Sequence, residues 1–268
     1  MDVLLKNEVL FKAIKTSINA GIAITEIYNS DFSFELKEDQ SPLTKADIKS
    51  NEIIISDLQK IGIPIISEES KQIPFSERKG WNQFWLVDPL DGTKEFLNRN
   101  GEFTVNIALI DNQMPIMGII YLPVKGVLYF AHDEIGAYKI ESIFNVDFTF
   151  NELIEKSIKI PLIANSEIFT IVASRSHSNK ETEDFIEAQK NIHGNVSLIS
   201  KGSSLKFCMI AEGMADIYPR YGTTMEWDIA AGHAIINASG GKILQINGEA
   251  MQYNKEDLRN PFFIASRK

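Results

Sequence analysis

The pattern of apolar residues changes twice along this chain of 268 residues, and the order of the changes limits the folds that it can adopt. Near the start, Leu10, Ile14, Ile18 and Ile22 recur every four positions, which predicts a helix over residues 3–28 with one apolar face. A second helix is predicted over residues 45–60, and the polar residues 29–43 between the two helices are expected to form a loop.

Short apolar runs bounded by turn residues follow, and they predict strands at residues 61–66, 84–87, 103–110, 117–122, 127–131 and 136–140. Residues 141–168 show no clear period, so we interpret them as the crossover to a second half. Beyond them strands and helices alternate, with strands predicted at 169–173, 196–199 and 215–218 and helices at 180–190, 203–211 and 227–238.

These patterns predict a mixed fold that combines α+β and α/β parts in two halves. The N-terminal half, residues 1–150, has two helices and a mostly antiparallel sheet, and the smaller α/β half covers residues 151–268. Hydrophobic residues make up 44% of the chain and charged residues 24%, as in globular proteins with a packed core.

The net charge of −9 argues against general binding to nucleic acid polymers or to anionic membranes. The single cysteine, Cys208, excludes an intrachain disulfide and fits a reducing cytoplasm. The first residues lack the features of a signal peptide, and no apolar run is long enough for a membrane span. We therefore expect a cytoplasmic protein without a transmembrane segment.

A strand-like run ends in two aspartates, Asp88 and Asp91, and this segment is the most informative for function. Pro89 rigidifies the exit from the strand, and Gly92 can take an unusual backbone dihedral. Such a turn can aim both carboxylates and the carbonyl of Leu90 at one point, and Mg²⁺ prefers oxygen ligands of this kind. Taken in isolation, the same pattern also fits a surface turn with solvated aspartates.

Two further acids stand next to the ends of predicted elements. Glu68 follows an apolar run, and Asp228 lies in the first turn of a predicted helix. Each has an ordinary interpretation by itself, as a solvated loop residue or a helix cap. With Asp88 and Asp91, however, they supply acids from three separate loops.

Three motifs, in their order along the chain, are similar to those of the inositol monophosphatase superfamily, a group of metal-dependent, lithium-sensitive phosphatases. They are Ser67-Glu68-Glu69-Ser70, Asp88-Pro89-Leu90-Asp91-Gly92-Thr93 and Trp227-Asp228-Ile229-Ala230-Ala231-Gly232. The resemblance covers about residues 5–265 and implies the layered α/β sandwich of the sugar phosphatases.

The resemblance also implies roles for individual residues. It implies that two or three Mg²⁺ ions are held by Glu68, Asp88, Asp91, Asp228 and the backbone carbonyl of Leu90. Thr93 would orient the attacking water, with Asp47 as its acid partner and Glu68 as a further catalytic residue. The bound phosphate is expected to contact Glu68, Leu90, Asp91, Gly92, Thr93 and Asp228.

Other segments favour one branch of the superfamily, the 3′(2′),5′-bisphosphate nucleotidases. Lys94-Glu95-Phe96 stands where inositol monophosphatases usually have Thr-Asn-Phe. Ser203, Lys206 and Arg220 match nucleotide- and phosphate-binding positions of that branch, and His177 matches a histidine near the adenine. An alternative interpretation is that Lys206 and Arg220 are surface charges and that His177 is a plain loop histidine.

The resulting hypothesis is a phosphatase that converts adenosine 3′,5′-bisphosphate, a small phosphorylated nucleotide, to AMP and phosphate. The same enzyme type can act on 3′-phosphoadenylyl sulfate, so the role would be removal of a by-product of sulfate activation. Alternatives are an inositol monophosphatase or other sugar-phosphate phosphatase, a non-catalytic metal- or phosphate-binding regulatory protein, and a two-metal nuclease. Both monomers and homodimers are expected among such proteins.

Overall fold

The structure is a computed structural model that describes residues 3–30, 34–36, 42–162, 168–174 and 179–267. The helices are α1 Val3–Tyr28, α2 Lys45–Leu58, α3 Phe75–Arg78, α4 Thr93–Leu97, α5 Phe150–Lys156, α6 Lys180–His193, α7 Leu205–Glu212 and α8 Glu226–Ala238. The strands are β1 Phe34–Leu36, β2 Pro42–Thr44, β3 Ile65–Ser67, β4 Gln83–Asp91, β5 Thr104–Asp111, β6 Met114–Leu122, β7 Val127–His132, β8 Gly136–Ile140, β9 Ile158–Ile160, β10 Phe169–Ser174, β11 Val196–Lys201, β12 Ile217–Arg220, β13 Lys242–Gln245 and β14 Phe263–Ser266.

The larger sheet has seven strands in the order β3-β4-β5-β6-β7-β8-β9. Strands β3 and β4 are parallel, and every other neighbouring pair is antiparallel. The structure therefore confirms the predicted mostly antiparallel sheet. Its strands from β4 to β9 pair in chain order, as consecutive hairpin-like strands do.

Helices cover both faces of this sheet, so its strands are apolar on both sides. Along β4, Trp85 and Val87 belong to the core shared with α1 and α2, whereas Phe84 and Leu86 belong to the core shared with α7 and α8. Because side chains of a strand alternate between its faces, one continuous apolar run fills both cores. The bounds of α1 agree with the prediction from its four-residue repeat.

A second sheet lies beyond α7 and α8, with the order β11-β10-β12-β14-β13. Strands β10, β11 and β12 are parallel, and β14 pairs antiparallel with β12 and β13. Helix α8 approaches β6 closely at Gly118, where a Cβ atom would lie 2.3 Å from the carbonyl oxygen of Ala231. This contact fixes α8, and with it Asp228, against the larger sheet.

The predictions for two segments were wrong in detail. Residues 29–43 were expected to form a loop, but β1 and β2 pair there as a short antiparallel ribbon. Residues 141–168 contain α5 and β9, and β9 pairs with β8, so the larger sheet continues past residue 150. Strands of three residues are too short to show a period in the sequence. The division into halves 1–150 and 151–268 stays a prediction.

None of the helices in the described ranges is long and apolar enough to cross a membrane.

Candidate active site

Three acids from separate parts of the chain converge at one edge of the larger sheet. Glu68 directly follows β3, Asp88 lies within β4, and Asp228 lies in the first turn of α8. Their carboxylate oxygens include a set that lies within 4.8 Å of one another. Asp88 is 2% exposed. The acids that the sequence placed on three loops therefore meet at one point.

The end of β4 forms the turn that the sequence predicted. The pairing of β4 with β5 shifts between Asp88 and Asp91, and the amide of Leu90 donates a hydrogen bond to Asp88 Oδ1 at 3.1 Å. The hydroxyl of Ser50 in α2 donates to the carbonyl of Pro89 at 2.7 Å and holds the turn from behind. The irregular turn brings the side chains of Asp88 and Asp91 to the same cavity.

Gly92 then lets the chain enter α4. Its φ angle is 93°, in the left-handed region, and a Cβ atom there would lie 3.2 Å from the Cβ of Ser203. A side chain at this position would therefore be strained and would crowd the segment that carries Ser203. Helix α4 begins at Thr93.

Thr93 and Asp47 form the predicted pair. Thr93 Oγ1 donates to Asp47 Oδ1 at 3.2 Å. The other oxygen, Asp47 Oδ2, accepts from the amide and the hydroxyl of Thr44 at 2.7 and 2.5 Å, in a capping box that starts α2. The helix cap thus fixes the Asp47 carboxylate, which is 1% exposed, in the orientation that meets Thr93.

Asp91 receives several hydrogen bonds on one oxygen. Its Oδ2 accepts from the hydroxyls of Ser203 and Ser204 at 2.7 and 2.6 Å and from Asn106 Nδ2 at 3.4 Å. Ser203 and Ser204 precede α7, so these bonds connect the two parts of the chain across the site.

The electrostatics of the site favour a bound cation. Burial raises the pKa of Asp88 well above its ordinary value, and the charges of Glu68, Asp91 and Asp228 raise it further. Burial and the charges of Glu68 and Asp91 likewise raise the pKa of Asp228. Like charges held this close repel one another, and a divalent cation with oxygen ligands removes that repulsion. The residues present therefore fit a metal ion.

Two basic side chains face the same cavity. Lys206 is 5% exposed and donates to the carbonyl oxygens of Ser203 and Lys201, and burial lowers its pKa to about 8. Arg220 donates through Nη2 to the carbonyl of Thr223 at 3.1 Å, while its buried Nε has no partner among the described residues. Both are therefore built into the cavity wall, and neither is a simple surface charge.

The cavity has a volume of about 370 Å³ and brings together most of the predicted site. The predicted residues that line it are Glu68, Asp88, Leu90, Asp91, Gly92, Thr93, Ser203, Lys206, Arg220 and Asp228. Asp47 is hydrogen-bonded to Thr93, which lines the cavity. His177 lies outside the described residues, so its predicted place near the nucleobase stays a prediction.

Sequence reasoning missed Asn106 and Ser204. Asn106 is buried in β5, and Ser204 is the buried residue directly before α7. A signal was present, because Thr104 and Asn106 are polar residues at alternate positions, on one face of an otherwise apolar strand.

The fold, the acid cluster and the Asp47–Thr93 pair define a metal-dependent phosphatase site. The chain belongs to the inositol monophosphatase family, whose family model matches residues 5–267. This confirms the resemblance that the three motifs indicated.

Several proteins are similar in sequence to this chain over most of their length. The 3′(2′),5′-bisphosphate nucleotidase CysQ of Escherichia coli strain K12 is 41% identical over 253 residues, which cover 92% of this chain and 95% of the relative. The protein of the same name from Buchnera aphidicola subsp. Acyrthosiphon pisum is 43% identical over 251 residues, covering 92% and 88%.

Solved structures share the fold. The crystal structure of CysQ from Bacteroides thetaiotaomicron, a bacterial member of the inositol monophosphatase family, has a TM-score of 0.89 and 49% identity over 96% of each chain. An inositol monophosphatase of Thermotoga maritima has a TM-score of 0.71 at 20% identity over 95% of this chain and 90% of that chain, which shows the common fold. The predicted layered α/β fold is confirmed.

Proposed function

We propose that this protein is a Mg²⁺-dependent phosphatase that converts adenosine 3′,5′-bisphosphate to AMP and phosphate and also acts on 3′-phosphoadenylyl sulfate. The observation that carries the proposal is the meeting of the acid cluster with Lys206 and Arg220 in one cavity. The similarity to the CysQ nucleotidases over 92% of the chain supports the choice of substrate.

In this proposal the carboxylates of Glu68, Asp88, Asp91 and Asp228, with the carbonyl oxygen of Leu90, hold two or three Mg²⁺ ions. Bound Mg²⁺ supplies positive charge for the phosphate oxygens, a lower pKa for the attacking water and stabilisation of the leaving oxygen. The donor set supports Mg²⁺, since it consists of oxygen atoms alone.

Thr93 and Asp47 orient the water and move its proton. Thr93 Oγ1 gives its own hydrogen to Asp47 Oδ1, so its lone pairs can accept a hydrogen bond from the water. As the water attacks phosphorus, its proton passes to Thr93 Oγ1 while the proton of Thr93 passes to Asp47 Oδ1. The two bonds from Thr44 keep Asp47 in position during this transfer.

Lys206 and Arg220 bind the second phosphate of the substrate in this proposal. A bisphosphate carries a phosphate group that the metal ions do not neutralise, and basic side chains recognise such a group by charge-assisted hydrogen bonds. The Nε atom of Arg220, which has no partner among the described residues, supports this role, because a buried donor without a partner destabilises the fold unless a ligand accepts its hydrogen bond.

A cytoplasmic location and a monomeric or homodimeric state stay predictions.

A substrate panel tests the proposal. Phosphate release is measured from adenosine 3′,5′-bisphosphate, inositol monophosphate and a short oligonucleotide, each with Mg²⁺ and with a chelator. We expect release only with Mg²⁺, a kcat/KM for the bisphosphate roughly a hundredfold above that for inositol monophosphate, and no action on the oligonucleotide. Faster turnover of inositol monophosphate would refute the substrate assignment.

A matched pair of variants sharpens the panel. Arg220→Gln removes the charge that faces the cavity, so kcat/KM for the bisphosphate should fall roughly tenfold or more, with a smaller change for inositol monophosphate. Arg259→Gln, at an exposed arginine paired with Asp257, is the control and should leave both values unchanged. Equal losses of kcat/KM for both substrates in Arg220→Gln would show that Arg220 does not bind the second phosphate.

A further inference from the structure

Asn106 occupies a position where an apolar residue is expected. It lies in β5, in the middle of the larger sheet, with 1% of its surface exposed, and its strand neighbours Val105 and Ile107 are fully buried in the apolar core. Its Oδ1 atom has no hydrogen-bond partner among the described residues. A buried acceptor without a partner destabilises a fold, so another role must explain this residue.

The amide of Asn106 starts a directional chain of hydrogen bonds that ends on Asp91. Its Nδ2 atom donates to Ser204 Oγ at 2.8 Å, and Ser204 Oγ donates its single hydrogen to Asp91 Oδ2 at 2.6 Å. Nδ2 also lies 3.4 Å from the same carboxylate oxygen. Each bond of such a chain polarises and strengthens the next one.

A second, parallel chain starts two residues earlier on the same face of β5. Thr104 Oγ1 lies 2.7 Å from Ser203 Oγ, and Ser203 Oγ donates to Asp91 Oδ2 at 2.7 Å. Since the hydrogen of Ser203 is used on Asp91, Thr104 must be the donor of the first bond. Ser203 has a φ angle of 50°, which residues other than glycine rarely adopt, so the surrounding contacts hold Ser203 in an unfavourable backbone conformation.

Both chains end on one oxygen of Asp91. From the described residues, the other oxygen, Oδ1, accepts no hydrogen bond. Asp91 Oδ2 is thus occupied by hydroxyl and amide donors, and Oδ1 is left for a cation in the cavity. Outer groups that orient a ligating carboxylate in this way raise the affinity of a site for its metal.

We propose that Asn106 and Ser204 are positioning residues, which fix the orientation of Asp91 so that its Oδ1 atom is presented to a divalent cation. The proposal rests on the proposed function, in which Asp91 is a metal ligand. Asn106 is kept in the core of the sheet for this task although an apolar residue would stabilise the strand better.

The test measures Mn²⁺ binding by electron paramagnetic resonance, together with thermal unfolding without metal, for the wild type, Asn106→Val, Ser204→Ala and the double variant. We expect each single variant to raise the Mn²⁺ dissociation constant about tenfold. Because the two residues act in one chain, the double variant should lose little more than the larger single loss. Asn106→Val should unfold at the same temperature as the wild type or higher, since it removes the partnerless Oδ1 atom.

Ser17→Ala is the control for Ser204→Ala. Ser17 is a fully buried serine of α1 that donates one hydrogen bond, to the carbonyl of Ile14, far from the cavity in the chain. Its removal should leave Mn²⁺ binding unchanged. Ser204→Ala carries the test by itself if Asn106→Val does not fold.

Two results would overturn the inference. One is Mn²⁺ affinity within about twofold of the wild type in the single variants, which is far below the expected change. The other is a loss of affinity in Asn106→Val that comes with a lower unfolding temperature, since this would reveal a structural residue. A wild type that binds Mn²⁺ but does not hydrolyse adenosine 3′,5′-bisphosphate would refute the proposed substrate and leave this inference standing.

Discussion

Glu212 and Asp88 are both buried acids, 3% and 2% exposed, but their surroundings differ. Glu212 lies at the end of α7, between the two sheets. Tyr129 Oη donates to its Oε1 at 2.6 Å, and Lys139 Nζ donates to its Oε2 at 3.0 Å. A buried carboxylate costs several kcal/mol unless it is paired, so these two partners make the burial of Glu212 tolerable.

Asp88 lacks such compensation. Its Oδ1 accepts from the amide of Leu90, and none of the basic side chains in the described ranges forms an ion pair with it. Its charged neighbours Glu68 and Asp228 carry the same sign, and its pKa is raised by burial first and then by these charges. The fold thus neutralises one buried acid internally and leaves the other to be neutralised by a ligand, which marks the second as functional.

The largest expected effect comes from Asp88→Asn. Removal of this proposed metal ligand should lower Mg²⁺-dependent phosphate release by roughly a thousandfold or more, since bound metal ions supply several kcal/mol of transition-state stabilisation. Without metal, the variant should unfold at the same temperature as the wild type or higher, because one of several repelling charges is gone. Steady-state kinetics and thermal unfolding are measured on the same preparation.

The control is Asp57→Asn, at an aspartate outside the cavity that pairs with Lys60 on the surface of α2. It should change neither activity nor unfolding by a measurable amount. Wild-type activity in Asp88→Asn, or a lower unfolding temperature without metal, would contradict the contrast between the two acids.

Glu212→Ala should have the opposite signature. It leaves Lys139 and Tyr129 without their buried partner, so the free energy of unfolding should fall by roughly 3 kcal/mol, while kcat stays unchanged because Glu212 is outside the cavity. Urea unfolding and phosphate release measure the two quantities. Glu141→Ala removes the exposed partner of the same lysine, 2.9 Å from Lys139 Nζ, and should cost less than about 1 kcal/mol. Equal costs for the two variants would show that burial of Glu212 contributes nothing.

The smallest expected effect is a change in the pH dependence of stability at His233. This residue is buried like Glu212 and Asp88, but it is accommodated in its neutral form. It is 2% exposed, bonds to the hydroxyl of Tyr253 at 2.8 Å, and has its pKa lowered by burial from 6.5 to about 4. The unfolded chain therefore takes up a proton below pH 6.5, whereas the folded chain does so only near pH 4. Stability from this group is complete above pH 6.5 and is lost as the pH falls.

Between pH 7 and pH 5 the loss from His233 should be about 2 kcal/mol. His233→Gln, which keeps a hydrogen-bonding group near Tyr253, should show a pH dependence of unfolding that is flatter by this amount. Urea unfolding at the two pH values measures it. If both proteins lost equal stability between these pH values, His233 would not be a buried neutral histidine.

The sequence predicted that the acids of the site would come together because they stand at recognisable ends of helices and strands. Glu68 directly follows a short apolar run, Asp88 and Asp91 close a longer one, and Asp228 opens a helix. In each case the local pattern predicts the end of a helix or strand at which the acid stands. The family resemblance then assigned the acids of these three ends to one site. The pairing of Thr93 with Asp47 was predicted only by resemblance, since 46 residues separate them along the chain.

Long-range contacts and very short elements were not predictable in the same way. Strand β9 has three residues, two of them exposed, so no apolar pattern indicated that it pairs with β8. Asn106 and Ser204 meet only because the segment before α7 folds back onto β5, a contact between residues 98 apart in the chain. Physical proximity of this kind depends on the packing of both sheets around α8, so the polar residues Thr104 and Asn106 mark an unusual strand in the sequence without identifying Ser204 as the partner.

The most direct test of the contrast between Asp88 and Glu212 is the unfolding temperature of the metal-free protein as Mg²⁺ is added. A ligand that binds only the folded protein stabilises it, and the stabilisation grows with the logarithm of the ligand concentration once that concentration exceeds the dissociation constant. We expect the unfolding temperature to rise with Mg²⁺ concentration for the wild type and for Glu212→Ala, and not to rise for Asp88→Asn. A wild type whose unfolding temperature does not respond to Mg²⁺, or an equal rise in Asp88→Asn, would contradict the proposed role of Asp88.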